Sequence, residues 1–493
     1  MQHGAGTMRS VCALLALLLG ARGAGGSGAP VEVSWSGPQP CGPQCDAAKP
    51  SAGFSLLHNV SHHTVYSAAP RLGTYNHGPV PYWWGGTFWL AWHNAPHHEA
   101  HHMRVLTATS ADGQRWSEPA VLFPNVSSAQ TKSLSRYKMH DGSVLEEPFW
   151  ETGEPPPRRA PRTPPHRPDP VLAAGRLYAF GSLDTDDIPD SAAQGGRPIS
   201  FLFARRVLGP GRFGPIFWAT DAPPDGVRLG LPSYTAMDSQ TAEDIRRFLD
   251  GLLSEYVKLS PPLEETNERA IYAMPQAQAS GGSVELVQLI RKNADQGLCP
   301  PSTQPPASCK ACPIHSCLFA SSCTVQLPAG ILQSQVVDRR VCSPATGTWH
   351  YASLSAVIDG EQSSPDQHEQ LRSALQNCSW SPAKVTNIPD APSRSCTSAL
   401  PDGRIYLVNT PVDHPMPHSK AARDPLVISI AADGKSFSRH WAIRSLATEP
   451  QTAHCRYATD CSPGWQYPAA MWTRRRGAAG GGEHLLVSYS INK

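Results

Sequence analysis

A short run near the start of the chain combines residues that could transfer protons and bind a polar ligand. It reads Tyr75-Asn76-His77-Gly78-Pro79. The imidazole of His77 can act as a general acid or base near neutral pH, and the amide of Asn76 can hydrogen-bond a polar ligand. The alternative is a structural histidine packed by the tryptophans that follow it. We predict that His77 and Asn76 contribute to a functional site.

A His-rich loop follows, and it holds one carboxylate, Glu99, among His93, His97, His98, His101 and His102. Glu99 is a candidate for proton transfer, and its alternative is a solvated loop side chain. The histidines could instead bind a transition metal. Because no recognised metal scaffold accompanies them, we predict no metal and no cofactor.

The elements around these residues are predicted to be short strands. Val80–Trp84 and Thr87–Trp92 are aromatic-rich and are joined by Gly85-Gly86, which is typical of a hairpin. A further strand ends at a turn, Ser110-Ala111-Asp112-Gly113, in which the aspartate can bond backbone amides while Trp116 packs beneath it.

The last third of the chain repeats this unit. Asp402-Gly403 precedes a strand, and Asp433-Gly434 is a second turn of the first type, with Phe437 in the place of the tryptophan. Tyr467–Trp472 and His484–Tyr489 form a final predicted hairpin. Repeated units of this kind predict an all-β propeller, with six or seven blades.

Composition agrees with one large all-β domain. The 493 residues include 40 glycines and 49 prolines, which suit many strands and turns. The formal charge is +2, and only 17% of residues are charged. Nothing in this balance predicts a nucleic-acid partner, and the oligomeric state stays open.

The domain boundaries follow from local composition. Residues 1–23 have the basic, apolar and small-residue order of a signal peptide, with a retained signal anchor as the alternative. No later run is long enough to span a membrane, so a secreted product is expected. A Gly/Pro-rich lead-in is predicted at 24–53 and the propeller at 54–493. Three insertions are predicted, one Pro-rich, one helical and one Cys-rich, at about 146–170, 238–262 and 295–325.

Cysteines and sequons agree with export. Thirteen cysteines become twelve without Cys12, and an even number in an exported chain favours disulfides. The rival is a zinc site at Cys309-Lys310-Ala311-Cys312. Glycosylation sequons begin at Asn59, Asn125 and Asn377.

These motifs, in this order, resemble the sialidase superfamily, in which the Ser-x-Asp-Gly-x-x-Trp turn is called the Asp-box. The resemblance covers about residues 66–492 and is closest to secreted sialidase-like proteins with a Tyr-Asn-His-Gly/His-Pro motif. It implies a sialidase-like β-propeller with its site at the axial mouth. It also implies that Arg423 clamps an anionic substrate, that Tyr467 is the catalytic tyrosine, and that Glu99 stands where the acid/base aspartate is found.

Other positions depart from a true sialidase. His77 stands where the first arginine is expected, Ala399 where the glutamate partner of the tyrosine is expected, and no middle arginine is evident in 407–412. A tyrosine without a neighbouring base is a weak nucleophile at neutral pH. Conventional sialidase activity is therefore not expected. Arg104 and Tyr489 are added as candidate substrate-binding residues, although surface or core roles are the alternatives for both.

Three functions remain open. The first is an exo-acting glycoside hydrolase that removes a terminal sugar from a glycan, with His77 and Glu99 as proton-transfer residues. The second is a polysaccharide lyase of the rhamnosyl-glucuronate type, in which Asn76, His77 and Arg423 neutralise a uronate and His77 or Tyr467 takes a proton. The third is a glycan-binding propeller without activity.

Overall fold

The structure is a computed structural model. It describes residues 32–38, 50–67, 73–96, 104–123, 149–153, 176–185, 199–218, 268–274, 283–291, 317–326, 345–346, 381, 384–391, 393, 395–411, 413–414, 422–449, 464–474 and 483–491. All of them belong to one compact unit, residues 31–493. Within these ranges no helix is long and apolar enough to cross a membrane.

Nearly all regular structure in the described part of the chain is strand, and the exception is a single 3₁₀ turn at Pro50–Gly53. The strands of the first half are β1 (Ser34–Trp35), β2 (Ser55–Leu56), β3 (Tyr75–Trp84), β4 (Thr87–Ala95), β5 (Arg104–Ser110), β6 (Ala120–Phe123), β7 (Phe149–Gly153), β8 (Arg176–Thr185), β9 (Ile199–Gly209) and β10 (Arg212–Trp218). Those of the second half are β11 (Glu268–Ala273), β12 (Ser283–Arg291), β13 (Cys317–Gln326), β14 (Ala345–Thr346), β15 (Lys384–Pro389), β16 (Cys396–Ala399), β17 (Ile405–Asn409), β18 (Asp413–His414), β19 (Ala422–Arg423), β20 (Leu426–Ala431), β21 (Ser436–Arg444), β22 (Trp465–Arg474) and β23 (Glu483–Ile491).

The strands form separate, mostly antiparallel sheets that follow one another along the chain. Their orders are β3-β4-β5-β6, β7-β8-β9-β10, β14-β11-β12-β13-β15 and β1-β21-β20-β17-β16, with β2 also paired to β21. Two smaller sheets are β18-β19 and β22-β23. Successive antiparallel meanders of about four strands are the blades of a propeller, which is the predicted all-β architecture. The number of blades stays a prediction.

The first predicted hairpin is confirmed, and its strands are longer than predicted. β3 pairs with β4 from Tyr75↔Ala95 to Trp84↔Thr87. Gly85 and Gly86 have φ of 59° and 77°. Two consecutive residues with positive φ are what a tight hairpin turn of the Gly-Gly type requires.

The Asp-box turns are also confirmed. One carboxylate oxygen of Asp112 accepts hydrogen bonds from the backbone N–H groups of Gln114 and Arg115, both at 2.8 Å. The indole of Trp116 donates to the carbonyl of Gly113. Asp433 accepts from two backbone N–H groups in the same way, and the ring of its partner Phe437 is fully buried.

The blades are held together by apolar side chains from both faces of their central strands. On β4, Trp89 and Ala91 pack with Leu177 and Val207 of the next sheet, whereas Leu90 and Trp92 face a second cluster. A strand that is covered on both faces has no polar alternation, which is why β4 is buried from its second residue to its last. This packing fixes the position of β3, which carries His77.

Residues that precede the predicted domain start at residue 54 also pack against the sheets. Trp35, within the predicted lead-in, is buried against Phe54 and the ring of His440. β1 pairs in parallel with β21, so the sheet extends to the residues around Ser34. Local Gly/Pro content predicted a lead-in because the partners of this segment lie at the other end of the chain.

Two predicted insertions contain blade strands. Residues 149–153 of the first form β7, and residues 317–325 of the Cys-rich insertion lie in β13, where Leu318 and Ala320 are core residues. Both predicted insertions therefore include residues whose backbone pairs in a sheet, and the insertions themselves stay predictions. The predicted helix within 238–262, the predicted signal peptide and residues 295–316 lie outside the described residues.

Candidate active site

The site is centred on a contact between the first long strand and the last hairpin. β3 runs beside β22, and the ring of His77 meets the ring of Tyr467 edge to face, with centroids 3.8 Å apart and planes at 67°. The ring of Tyr75 lies 5.5 Å from His77 on the same side of the strand. His77 is buried and Tyr467 is half-buried. The structure therefore brings together two residues that the sequence proposed as catalytic.

Tyr467 has a constrained backbone. Its φ is +51°, in the left-handed region, and it lies where the β22–β23 register shifts between Gln466 and Ala469. A residue other than glycine that adopts this conformation loses about 1 kcal/mol or more of conformational free energy. The N–H of Tyr467 donates to the Oγ of the buried Ser393 at 3.1 Å. Strain of this kind is often found at functional sites, where neighbouring contacts maintain it.

Arg423 lies on the other side of Tyr467. Its guanidinium carbon is 5.5 Å from the centre of the tyrosine ring, and its Nη1 donates to Oε1 of Gln466 at 2.6 Å. Among the described residues no carboxylate forms an ion pair with Arg423. The guanidinium thus keeps its charge close to the tyrosine, as a receptor for an anion would.

The backbone of Arg423 is held against the start of β22 by a close approach. Arg423 and Gly464 form an isolated parallel bridge, and a Cβ on Gly464 would lie 2.3 Å from the carbonyl oxygen of Arg423. The next residue, Asp424, is buried and accepts from the N–H of Leu446 and the indole of Trp465. These contacts fix the position from which Arg423 extends.

Asn76 and Arg104 occupy a different face of the blade. Asn76 alternates with His77 along β3, and its side-chain oxygen accepts from Trp92 at 3.0 Å and from Asn94 at 2.9 Å. Arg104 donates to the oxygen of Asn94 at 2.8 Å. This row links three strands across one sheet, which favours a structural role for both residues, and substrate binding by them stays a prediction.

Tyr489 belongs to a separate buried cluster. Its hydroxyl accepts from Nη1 of Arg444 at 2.8 Å and lies 3.3 Å from Nδ1 of His62. The guanidinium of Arg444 also pairs with Glu449 and lies 4.6 Å from the ring centre of Trp465. Burial is the main cause that raises the pKa of Tyr489 above its usual value, and Arg444 opposes it. This environment explains Tyr489 as a packing and hydrogen-bonding residue of the β21–β23 region.

Some of the remaining candidates from the sequence lie among the described residues, and others do not. Glu99, Asn125 and Asn377 lie outside the described residues. Asn59 is exposed, as a glycosylated asparagine must be. Cys323 and Cys396 are each disulfide-bonded. In the part of the chain that the structure describes, no group of three or more His, Cys, Asp or Glu could hold a metal ion.

Sequence reasoning missed Gln466 and Ser393, and it placed His93 in the wrong element. Gln466 directly precedes Tyr467 in the sequence, and this position beside a predicted catalytic residue was the only signal for it. Ser393 lies far from Tyr467 in the sequence and carried no signal. His93 is buried directly opposite His77 in the β3–β4 register. The sequence analysis had grouped His93 with the loop histidines, whereas it lies near the end of β4.

Comparison with known proteins agrees with this architecture. Residues 61–144 match the BT_1020-like N-terminal β-propeller family, and residues 348–479 match the BNR repeat-like domain family. A search of curated proteins by sequence found no match.

Among solved structures, a sialidase superposes on 93% of this chain with a TM-score of 0.53 and 15% identity. The chain spans about a third of that sialidase, 34% of its length. A GH93 α-L-arabinofuranosidase of Fusarium graminearum gives 10% identity and a TM-score of 0.27, covering 84% of this chain and 77% of the enzyme. A Trypanosoma rangeli sialidase gives 9% identity and a TM-score of 0.28, covering 84% and 54% respectively.

The fold and the repeat matches define a sialidase-like β-propeller. Residues 61–144 and 348–479 are thus similar to propeller and BNR-repeat families, and the whole fold is similar to that of a sialidase.

Proposed function

We propose that this protein is a glycan-active enzyme whose substrate carries a carboxylated sugar, and that it is an exo-acting glycoside hydrolase. The observation that carries the proposal is the arrangement of His77, Tyr467 and Arg423 on three strands of a sialidase-like propeller. A proton-transfer group, a phenol and a cation that has no ion pair among the described residues meet there. Arg423 recognises the carboxylate, and the other two residues act at the neighbouring glycosidic bond.

In the hydrolase, His77 takes the place of the missing glutamate. The oxygen of Tyr467 attacks the anomeric carbon, its proton passes to His77, and the glycosidic C–O bond breaks. The leaving oxygen takes a proton from a general acid, for which the sequence offers Glu99. Water then hydrolyses the tyrosyl glycoside, and the sugar is released. Ala399, at the position of the expected glutamate, is packed against the apolar core and supplies no base.

One observation favours a lyase as the second candidate. Arg423 lies beside the Tyr467 ring, so a uronate carboxylate bound to it would lie close to Tyr467 and His77. Neutralising that carboxylate acidifies the C5 proton, and either residue can accept it. The bond from C4 to the leaving oxygen then breaks, the leaving oxygen takes a proton from the other residue of the pair, and an unsaturated uronate remains. Substrate binding without turnover is the third outcome.

The experiment separates these candidates by their products. The exported protein is incubated with sialylated and rhamnosyl-glucuronate glycans, while released sugar and the ultraviolet absorbance of an unsaturated uronate are followed. Released sugar without absorbance, lost in His77→Ala and kept in Arg404→Gln, is the expected result, because Arg404 lies in an exposed turn. Absorbance would identify a lyase, and glycan binding without any product would contradict the enzyme proposal.

We also propose that the protein is exported. The disulfide-bonded Cys323 and Cys396 suit an oxidising compartment, and Asn59 is open to a glycosyltransferase. Mass spectrometry of the protein from a eukaryotic culture medium tests this. A glycan at Asn59 and a new amino terminus near residue 24 are expected, whereas retention of all the protein in the cytosol contradicts export.

A further inference from the structure

We infer that Gln466 is the positioning residue that aims Arg423 at the substrate, and that it sets the preference for carboxylated over neutral sugars. This inference rests on the proposed function, because it deepens the role of the same site. It concerns a residue that contacts the substrate-binding arginine and acts through it.

The first step is that Arg423 needs a restraint. An arginine has about 2 kcal/mol of rotamer entropy to lose when its guanidinium is ordered. Arg423 sits in a strand of only two residues, Ala422–Arg423, and is half-buried. Its backbone is fixed by the bridge to Gly464 and by the buried Asp424 next to it. The backbone is therefore set, and the direction of the long side chain remains to be determined.

The second step is that Gln466 supplies that direction. It is fully buried, and its Oε1 accepts from Nη1 of Arg423 at 2.6 Å. The adjacent Tyr467 places its ring 5.5 Å from the guanidinium carbon. One dipeptide of β22 thus holds the guanidinium by a hydrogen bond and by the face of an aromatic ring. Because Tyr467 also contacts His77, the same dipeptide joins the cation to the proton-transfer group.

The third step is that the restraint is uncharged. A carboxylate at position 466 would orient Arg423 equally well and would also neutralise it. An amide oxygen orients the guanidinium and leaves its full positive charge for a ligand. An uncharged glutamine at position 466 therefore suits a site that binds an anion. In Gln466→Glu, the introduced carboxylate is predicted to compete with the carboxylate of the substrate for Arg423.

The test compares Gln466→Ala and Gln466→Glu with wild type, using a turned-over carboxylated glycan and its methyl ester. Gln466→Glu is expected to lower kcat/KM for the acid by roughly 10- to 100-fold, mainly through KM, and to leave the ester nearly unchanged. Gln466→Ala is expected to give a smaller loss, which also falls mainly on the acid and not on the ester. The matched control is Gln288→Ala, which removes a glutamine that is equally buried in another sheet. Equal losses on acid and ester, or no loss, would overturn the inference.

A second measurement keeps the inference separate from the proposed function. Nitrogen-15 spectra of the arginine guanidinium groups are recorded for wild type and Gln466→Ala, with Arg423→Lys to assign the signal of Arg423. Hindered rotation in wild type that is lost in Gln466→Ala is expected. An unchanged Arg423 signal would overturn the positioning role even if the enzyme is active. Absence of turnover on every glycan would overturn the proposed function, and the spectra would still decide the inference.

Discussion

The ring of His77 lies edge to face against the ring of Tyr467, with centroids 3.8 Å apart. This contact joins β3, near the start of the described chain, to β22 in the final hairpin. It forms between two blades, and Arg423 reaches the same tyrosine from β19. The candidate site therefore depends on the contact between the first and the last of these sheets.

The buried ion pair between Arg444 and Glu449 is expected to stabilise the last blade. The side chains are 8% and 30% exposed, so Glu449→Leu leaves a guanidinium largely buried without its counter-charge. A loss of about 2–4 kcal/mol in the free energy of unfolding is expected. Arg404→Gln is the control, because its pair with Asp402 is 43% and 51% exposed and should contribute less than about 1 kcal/mol. Equal losses in urea denaturation would contradict this account.

The Asp-box at Asp112 is expected to stabilise its turn through an oxygen acceptor. Hydrogen bonds from the N–H groups of Arg115 and Gln114 lower the pKa of Asp112 to about 2. This contribution is therefore present above pH 3.8 and is lost as pH falls through 2. Asp112→Ala should lower stability by about 1 kcal/mol, whereas Asp112→Asn keeps an acceptor and should lose less. Thermal unfolding of the three proteins at neutral pH checks the order, and an equal loss in Asn and Ala would refute it.

His440 is expected to make the docking of the amino-terminal segment sensitive to acid. Burial against Trp35 lowers the pKa of His440 to about 4. The unfolded chain therefore takes up a proton before the folded one does. Stability is full above pH 6.5 and falls as pH drops from 6.5 to 4. Because the ring is half-exposed, we expect a contribution of about 1 kcal/mol after solvent screening.

The measurement is the free energy of unfolding of wild type and His440→Gln across pH 4–7. The difference between the two curves should change in this interval. Taking the difference cancels the contribution of carboxylates that titrate in the same pH range in both proteins. A difference that stays constant would show that His440 is not the group responsible.

Local features of this fold could be predicted from the sequence. The Gly85-Gly86 hairpin, the Asp112 turn and the Asp433 turn each depend on residues within a few positions of one another, so their signals are complete in a short window. Aromatic residues at fixed offsets from these turns were sufficient to indicate a sialidase-like propeller.

Contacts between distant segments could not be predicted in this way. The backbone N–H of Trp35 donates to Oδ1 of Asn387, and β1 pairs with β21. The segment around Trp35 nevertheless has the Gly/Pro content of a linker. For the same reason the contact of Tyr489 with Arg444 could not be predicted, because Arg444 becomes its partner only when β21 and β23 come together. Substrate binding by Tyr489 stays a prediction.

The candidate site was predictable in part. His77 was proposed from its residue type and motif, whereas Tyr467 and Arg423 were proposed only from the resemblance to sialidases. The structure places His77 and Arg423 against Tyr467. Gln466 and Ser393 were missed because an amide and a hydroxyl carry no distinctive signal. Their importance appears only in the hydrogen bonds to Arg423 and to the strained backbone of Tyr467.

The most direct test of the account is a double-mutant cycle between His77 and Tyr467. On the glycan that wild type turns over, kcat is measured for His77→Gln, Tyr467→Phe and the double variant. Each single change should lower kcat by roughly 10²- to 10³-fold. Because the two residues act as one unit, the double variant should be about as slow as either single one. Losses that multiply, or single variants that retain full activity, would contradict the central claim that this pair is the active site.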